Sequence, residues 1–297
     1  MVSGVDCEPL TKPLNIMKTR TVSHLLYAEV VSMGGMPIRQ PFPTNNVQQI
    51  DPFLLLHHHK TAAGEPFEGV GAHPHRGFSP VSFIFEGSLR HQDSRGNDSI
   101  ISAGGIQWMN AGMGIIHSER PVNVDADLEL IQLWINTPAA YKMDQPVYIP
   151  VTAEEAGKFI SDDNLVKASV FSGEVLGIKG KVNALSPVNA ATFEIATGGT
   201  VSIPIPADHN AFIYLLDGSI MLDGYGLVED KNAVVFERNG DGITITGKEN
   251  TRILFITGKP LEEKVVSYGP FVMNTQTQIM EAMRDYQMGK MGVLIES

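Results

Sequence analysis

The sequence predicts an all-β protein folded as two similar barrels, with one short helix near the C-terminus. Three observations carry that reading. Glycine (29) and proline (18) punctuate short apolar runs such as Val81 to Phe85, Ile131 to Ile135, Phe212 to Leu216 and Arg252 to Thr257. These runs are rich in β-branched and aromatic residues and too brief for typical helices. Two segments look alike: SFIFEGSL from Ser82 to Leu89 and AFIYLLDGSI from Ala211 to Ile220. Each is an apolar strand that turns at an acidic residue plus glycine, and the turn glycines, Gly87 and Gly218, lie 131 residues apart. A duplicated barrel explains that period better than a solenoid, whose repeats are far shorter. Finally, 297 residues exceed what one hydrophobic core usually serves.

In chain order, residues 1–140 are expected to form the first barrel and residues 141–297 the second barrel together with the helix. The boundary falls in Asn136 to Pro150, where Pro138, Pro146 and Pro150 interrupt the strand pattern and predict a linker. Helix is readable only near the C-terminus. Thr275 and Gln278 form a capping-box pattern, Ile279, Met283 and Tyr286 follow at helical spacing, and Gly289 sits at the stop. That helix is expected to pack on a barrel, with its methionines as core filler.

The bulk composition excludes several classes. Apolar residues at 43% against 19% charged place the chain among globular proteins rather than disordered ones. Twenty-two basic and thirty-three acidic side chains give a net charge of −11. That balance repels phosphate backbones, and no basic patch offsets it, so direct nucleic-acid binding is not expected. No uncharged apolar run approaches the roughly 20 residues that a membrane helix needs. A single cysteine, Cys7, and the lack of a basic-then-apolar leader point to a reducing compartment, the cytoplasm or, in a eukaryote, the nucleus.

The chemistry is carried by histidine spacing. His73 and His75 flank Pro74, and residues two apart on a strand share a face, so both imidazoles can converge on one ion. His117 and Glu119 repeat the i, i+2 arrangement 42 residues after His75, far enough on for several strands to intervene. Three neutral imidazoles and a carboxylate leave two positions open on an octahedral ion. That suits Fe(II) and also admits Mn, Co, Ni or Cu. A closed structural zinc site would more often use cysteines. His57, His58 and His59 are read as solvated or pocket-rim residues, His91 as structural, and His209 as a histidine without a metal partner.

Several longer motifs resemble the pirin family of two-barrel cupins. They are DPFLLL at Asp51 to Leu56, HPHRGF at His73 to Phe78, EGSLRHQDSRGN at Glu86 to Asn97, IQWMNAGMGIIHSERP at Ile106 to Pro121, and GPFVMNTQTQI at Gly269 to Ile279. The resemblance implies two cupin-type β-barrels (a bicupin) with one iron in the N-terminal barrel, held by His73, His75, His117 and Glu119. The second barrel departs from the ligand pattern, since Val201 to Pro206 offers no H-x-H, and is expected to be metal-free. Pirins are similar to cupin quercetinases, and some open the flavonol ring of quercetin with O₂. By that resemblance the chain is expected to be a quercetin 2,3-dioxygenase-type oxidoreductase, with Glu119 as catalytic base and Phe53, Phe78, Trp108 and Met109 as candidate pocket walls. The alternative that the same resemblance implies is a non-enzymatic iron-binding redox regulator that docks on a protein partner such as a transcription factor.

Overall fold

The computed structural model describes residues 17–65 and 67–296. Cys7 lies outside them. The all-β expectation holds, in two barrels each made of a seven-stranded and a four-stranded sheet. In the first barrel the large sheet runs Val147–Val151, Ile106–Asn110, Phe78–Glu86, Leu128–Asn136, Phe53–Thr61, Met36–Phe42, Glu29–Met33. Its small sheet runs Val70–His75, Ile115–Pro121, Ser88–Asp93, Asp98–Ser102. The second barrel repeats this order. Its large sheet runs Val22–Tyr27, Asn232–Phe236, Asn210–Asp217, Thr251–Gly258, Val188–Ile195, Val166–Ser172, Gly157–Ile160, and its small sheet Thr200–Pro204, Gly242–Gly247, Ser219–Leu222, Gly226–Glu229. The repeated motif falls at matching places. Gly87 and Gly218 both adopt a φ of 75° at the turn between sheets, where a Cβ would meet a backbone carbonyl at 2.4 Å.

The strands do not divide at residue 140. The outermost position of each large sheet is filled from the other half of the chain: Val147–Val151 pairs with Ile106–Asn110, and Val22–Tyr27 pairs with Asn232–Phe236. Each lent strand satisfies backbone groups that would otherwise form an open edge. The proposed linker is therefore shorter than its prolines suggested. It holds a single 3₁₀ turn, Ala139–Tyr141, and the buried Lys142, whose ammonium donates to Asn136 Oδ1 at 2.7 Å and Val272 O at 3.0 Å.

The two large sheets face each other across the main core. Phe42, Phe53, Leu56, Trp108 and Leu133 meet Phe212, Tyr214, Leu254 and Ile256, with Phe212 edge-on to Phe42 and Phe53 at 5.3 and 5.4 Å. One polar cluster crosses this interface. The His58 ring lies 2.9 Å from Tyr214 Oη and 3.1 Å from Glu129 Oε1, and Arg252 donates to Glu129 Oε2 at 2.7 Å and to Asp217. The interiors of the barrels differ. Phe193, Ile203, Ile213, Leu215, Ile245 and Phe255 belong to a large cluster that fills the second, whereas the apolar cluster of the first is small, built on Ile84, Leu89, Ile101, Leu128 and Leu130.

The helix spans Gln276–Gln287 with the expected capping box between Thr275 and Gln278, and Gly289 closes it at a φ of 72°. It does not pack on the second barrel, the domain to which its sequence position assigned it. Ile279 and Ala282 join Phe271, Met273 and Met291 against Ile116 of the first barrel. Arg76, next to the H-x-H pair, donates to Asp285 on the helix at 3.1 Å.

The inter-barrel cluster predicts acid sensitivity. Burial would raise the Glu129 carboxyl, but the His58 hydrogen bond and the Arg252 charge outweigh it and hold the pKa at about 2. Burial also lowers the His58 pKa, against the pull of Glu129. Both groups take up protons more readily in the unfolded chain, so their contribution is present near neutral pH. It is lost as pH falls, first through the ordinary histidine value and then from the ordinary carboxylate value toward 2. Glu129→Gln should cost about 2 kcal/mol near pH 7. Its stability should also change less steeply than wild type between about pH 4.5 and 3. Denaturant unfolding across that range checks this, and parallel curves would contradict it.

Candidate metal centre

The strand Val70–His75 pairs antiparallel with Ile115–Pro121, with Ile115 opposite His75 and His117 opposite His73. Alternation puts His73, His75 and His117 on one face, as the spacing predicted. The register then slips, so Glu119 lies opposite Val70 rather than Gly71. His73 Nδ1 donates to Gly71 O at 2.8 Å, which leaves its Nε2 without a hydrogen. His73 Nε2 and His75 Nε2 are 3.1 Å apart, and the three histidines offer ligand atoms that all lie within 4.8 Å of one another.

His75 and His117 are 2% exposed, and His75 Nδ1 and His117 Nε2 are buried without a hydrogen-bond partner. Burial, reinforced by His73, pushes both pKa values well below the ordinary histidine value. The rings are therefore neutral at physiological pH, the form that ligates a metal. The bare His117 Nε2 is costly unless something occupies it, and a divalent metal shared with His73 and His75 fits this donor set.

Glu119 stands beside this group without belonging to it. Its Oε1 accepts from Ser82 Oγ at 2.8 Å and its Oε2 from Gln132 Nε2 at 2.8 Å, while Trp134 Nε1 donates to Gln132 Oε1 at 3.0 Å. Glu119, His73 and His75 open onto a cavity of about 360 Å³, otherwise walled mainly by apolar side chains including Met36, Ile38, Phe67, Leu130 and Trp134.

The motif residues Phe53, Phe78, Trp108 and Met109 do not wall the cavity. Phe53 and Trp108 face the inter-barrel core, and Met109 packs with Ala111 and Ile115. Phe78 stands behind the site, its ring 5.0 Å from His75 and 4.3 Å from Trp134. The aromatic walls are Phe67 and Trp134. Leu130, Gln132 and Trp134 alternate along one strand and could have been found by the period-2 rule. Phe67 lies outside any strand and gave no such signal.

The triple histidine splits by the same alternation. His57 and His59 line the cavity, His57 against Gln40 Oε1 at 2.9 Å and His59 against Thr61 Oγ1 at 2.6 Å. Burial lowers the His57 pKa to about 4. His58 points the other way into the inter-barrel cluster and is neither solvated nor at the rim. His209 bonds Thr257 Oγ1 at 3.0 Å. In the second barrel the strands matching the ligand strands are Thr200–Pro204 and Gly242–Gly247, whose Val201, Ile203, Ile243 and Ile245 belong to the apolar core. Among the described residues, no helix is long and apolar enough to cross a membrane.

Two barrels with matching strand order, one carrying three convergent histidines, define a two-barrel cupin with a candidate metal centre. The family model "Pirin" matches residues 35–135 and "Pirin C-terminal cupin domain" matches residues 190–292. The chain belongs to the pirin family. It is 35% identical to Pirin-like protein 2 of Arabidopsis thaliana over 92% of this chain and 86% of that one, and 36% identical to Pirin of Homo sapiens over 87% and 89%. Among solved structures, a quercetin 2,3-dioxygenase from Acinetobacter baumannii superposes with a TM-score of 0.86 at 31% identity, covering 94% of this chain and all of that one.

His75→Ala should cut bound metal per chain sharply while leaving the circular dichroism spectrum unchanged, because barrel packing rather than the ion holds a chain of this size together. Unchanged metal content would remove the site. His57→Ala, His59→Ala and His209→Ala should each retain about one metal per chain by elemental analysis. Loss of metal in any of them would place a ligand that this geometry does not.

Proposed function

We propose that the protein is a metal-dependent dioxygenase that opens the ring of a flavonol such as quercetin with O₂, using iron held by His73, His75 and His117, with Glu119 as a fourth ligand and as base. One observation carries the proposal: His73 and His75 stand with Glu119 at the wall of a mainly apolar cavity of about 360 Å³, and their ligand atoms lie within 4.8 Å of that of His117, whose buried Nε2 has no partner in the protein. That volume is in the range of small-molecule sites. The likeness to a solved quercetin 2,3-dioxygenase at 31% identity supports the substrate class. Fe(II) fits this donor set best, and Mn, Co, Ni and Cu are alternatives.

A bound iron would supply a Lewis acid for the flavonol 3-hydroxyl and a redox partner for O₂. The protein's part is to position the substrate, move a proton and exclude water. Phe67 and Trp134 offer flat walls for an aromatic ring, with Met36, Ile38 and Leu130 keeping the cavity dry. Glu119 is the carboxylate on this cavity wall and the group suited to take the 3-hydroxyl proton. Ser82 and Gln132 hold its two oxygens, and Trp134 holds Gln132, so the carboxylate is aimed before substrate arrives. As a ligand Glu119 would bind through an oxygen that already accepts from Ser82 or Gln132.

Glu119→Gln keeps the shape and one carbonyl oxygen but loses the charge and most of the basicity. It should retain measurable iron on three imidazoles while turnover of quercetin, followed as loss of flavonol absorbance in air, falls by a factor on the order of 10² or more. A wild type inactive at every metal loading would refute the dioxygenase and favour the regulatory reading. An equally active Glu119→Gln would remove the base.

A further inference from the structure

A histidine outside the ligand set touches the site from behind. His91 is buried, with its Nδ1 3.4 Å from His117 Nδ1 and its Nε2 3.1 Å from Asp93 Oδ2. Its ring is stacked on Tyr148 at 3.9 Å with 2° between planes, and Tyr148 belongs to Val147–Val151, the strand lent to the first barrel by the following segment. Asp93 has no freedom to donate. Its Oδ1 accepts the backbone N–H groups of Arg95 at 2.8 Å and Asn97 at 3.1 Å, and its Oδ2 accepts Asn97 Nδ2 at 2.8 Å.

With one proton on the His91 ring, these contacts allow one arrangement. Asp93 Oδ2 can only accept, so the proton on a neutral His91 sits on Nε2. His91 Nδ1 is then bare, and the facing pair needs a hydrogen from His117 Nδ1. His117 is thereby left with a bare Nε2, the nitrogen that has no hydrogen-bond partner in the protein. We propose that Asp93 and His91 are positioning residues that fix the tautomer and ring plane of His117, so that its Nε2 is a ready metal donor. Outer partners of this kind typically change metal affinity by 10- to 100-fold. The inference rests on the three-histidine centre and not on the reaction assigned to it.

Co(II) titration of the full chain, followed by calorimetry and by visible d–d absorption, tests this without turnover. His91→Phe keeps a ring on Tyr148 but offers no acceptor, so the dissociation constant should rise 10- to 100-fold with an altered absorption band. His91→Gln supplies an amide oxygen for the His117 Nδ1 proton and should recover most of the affinity. Asp93→Asn leaves both rings in place. An amide nitrogen facing His91 drives the His91 proton to Nδ1, setting two donors against each other, and turning the amide over sets it against the Arg95 and Asn97 N–H groups instead. It should therefore weaken Co(II) as His91→Phe does, with folding verified by circular dichroism. Wild-type affinity and spectrum in His91→Phe or Asp93→Asn, or a His91→Gln no better than His91→Phe, would overturn the assignment. A wild type that binds no Co(II) would overturn the metal centre itself, and this proposal with it.

Discussion

Desolvation of the histidines is the constraint on which the rest of the site depends. His75 and His117 have almost no contact with water, and burial with His73 beside them keeps either from gaining a proton cheaply. A neutral imidazole with a bare, unpartnered nitrogen such as His117 Nε2 is a poor way to fill a barrel unless an ion completes it. The second barrel shows the other solution. With the same strand order, it places Val201, Ile203, Ile243 and Ile245 on the corresponding strands and closes its interior with hydrocarbon. One barrel thus takes the fold's default packing, and the other gives up part of its apolar core for a cavity.

Holding such a site in register takes support from distant parts of the chain. Pro270 O accepts the Arg76 N–H, Val272 N donates to Arg76 O, and Gly77 lies so close to Val272 that a Cβ there would meet its carbonyl oxygen at 2.1 Å. The helix that follows anchors Arg76 through Asp285. On the other side, the lent strand Val147–Val151 brings Tyr148 against His91. The C-terminal segment and the inter-barrel crossing therefore do more than close sheet edges: they clamp the two strands that carry the histidines from both flanks.

What could be read from the sequence follows from the range of the physics involved. Period-2 alternation placed His73, His75 and His117 on one face, and local capping chemistry placed the helix at Thr275 and Gln278. Both signals act within a few residues. The strand exchange, the docking of the helix on the first barrel and the role of His58 depend on partners far away in sequence, such as Tyr214 and Arg252, which no local pattern announces. The register slip after His117 belongs to the same class, since it shifts Glu119 relative to its strand neighbour. The motif-borne aromatics Phe53 and Trp108 mark the packing of barrel on barrel, while Phe67 and Trp134, outside those motifs, line the cavity.

The central claim is that the first barrel holds one metal between three imidazoles. Anomalous diffraction at the iron absorption edge from crystals of the iron-loaded protein tests it most directly. The account expects a single peak within bonding distance, about 2.0–2.2 Å, of His73 Nε2, His75 Nε2 and His117 Nε2. The density there would also show whether Glu119 has left Ser82 or Gln132 to join them. An empty triad, or a peak seated instead on His57 and His59 or in the second barrel, would contradict it.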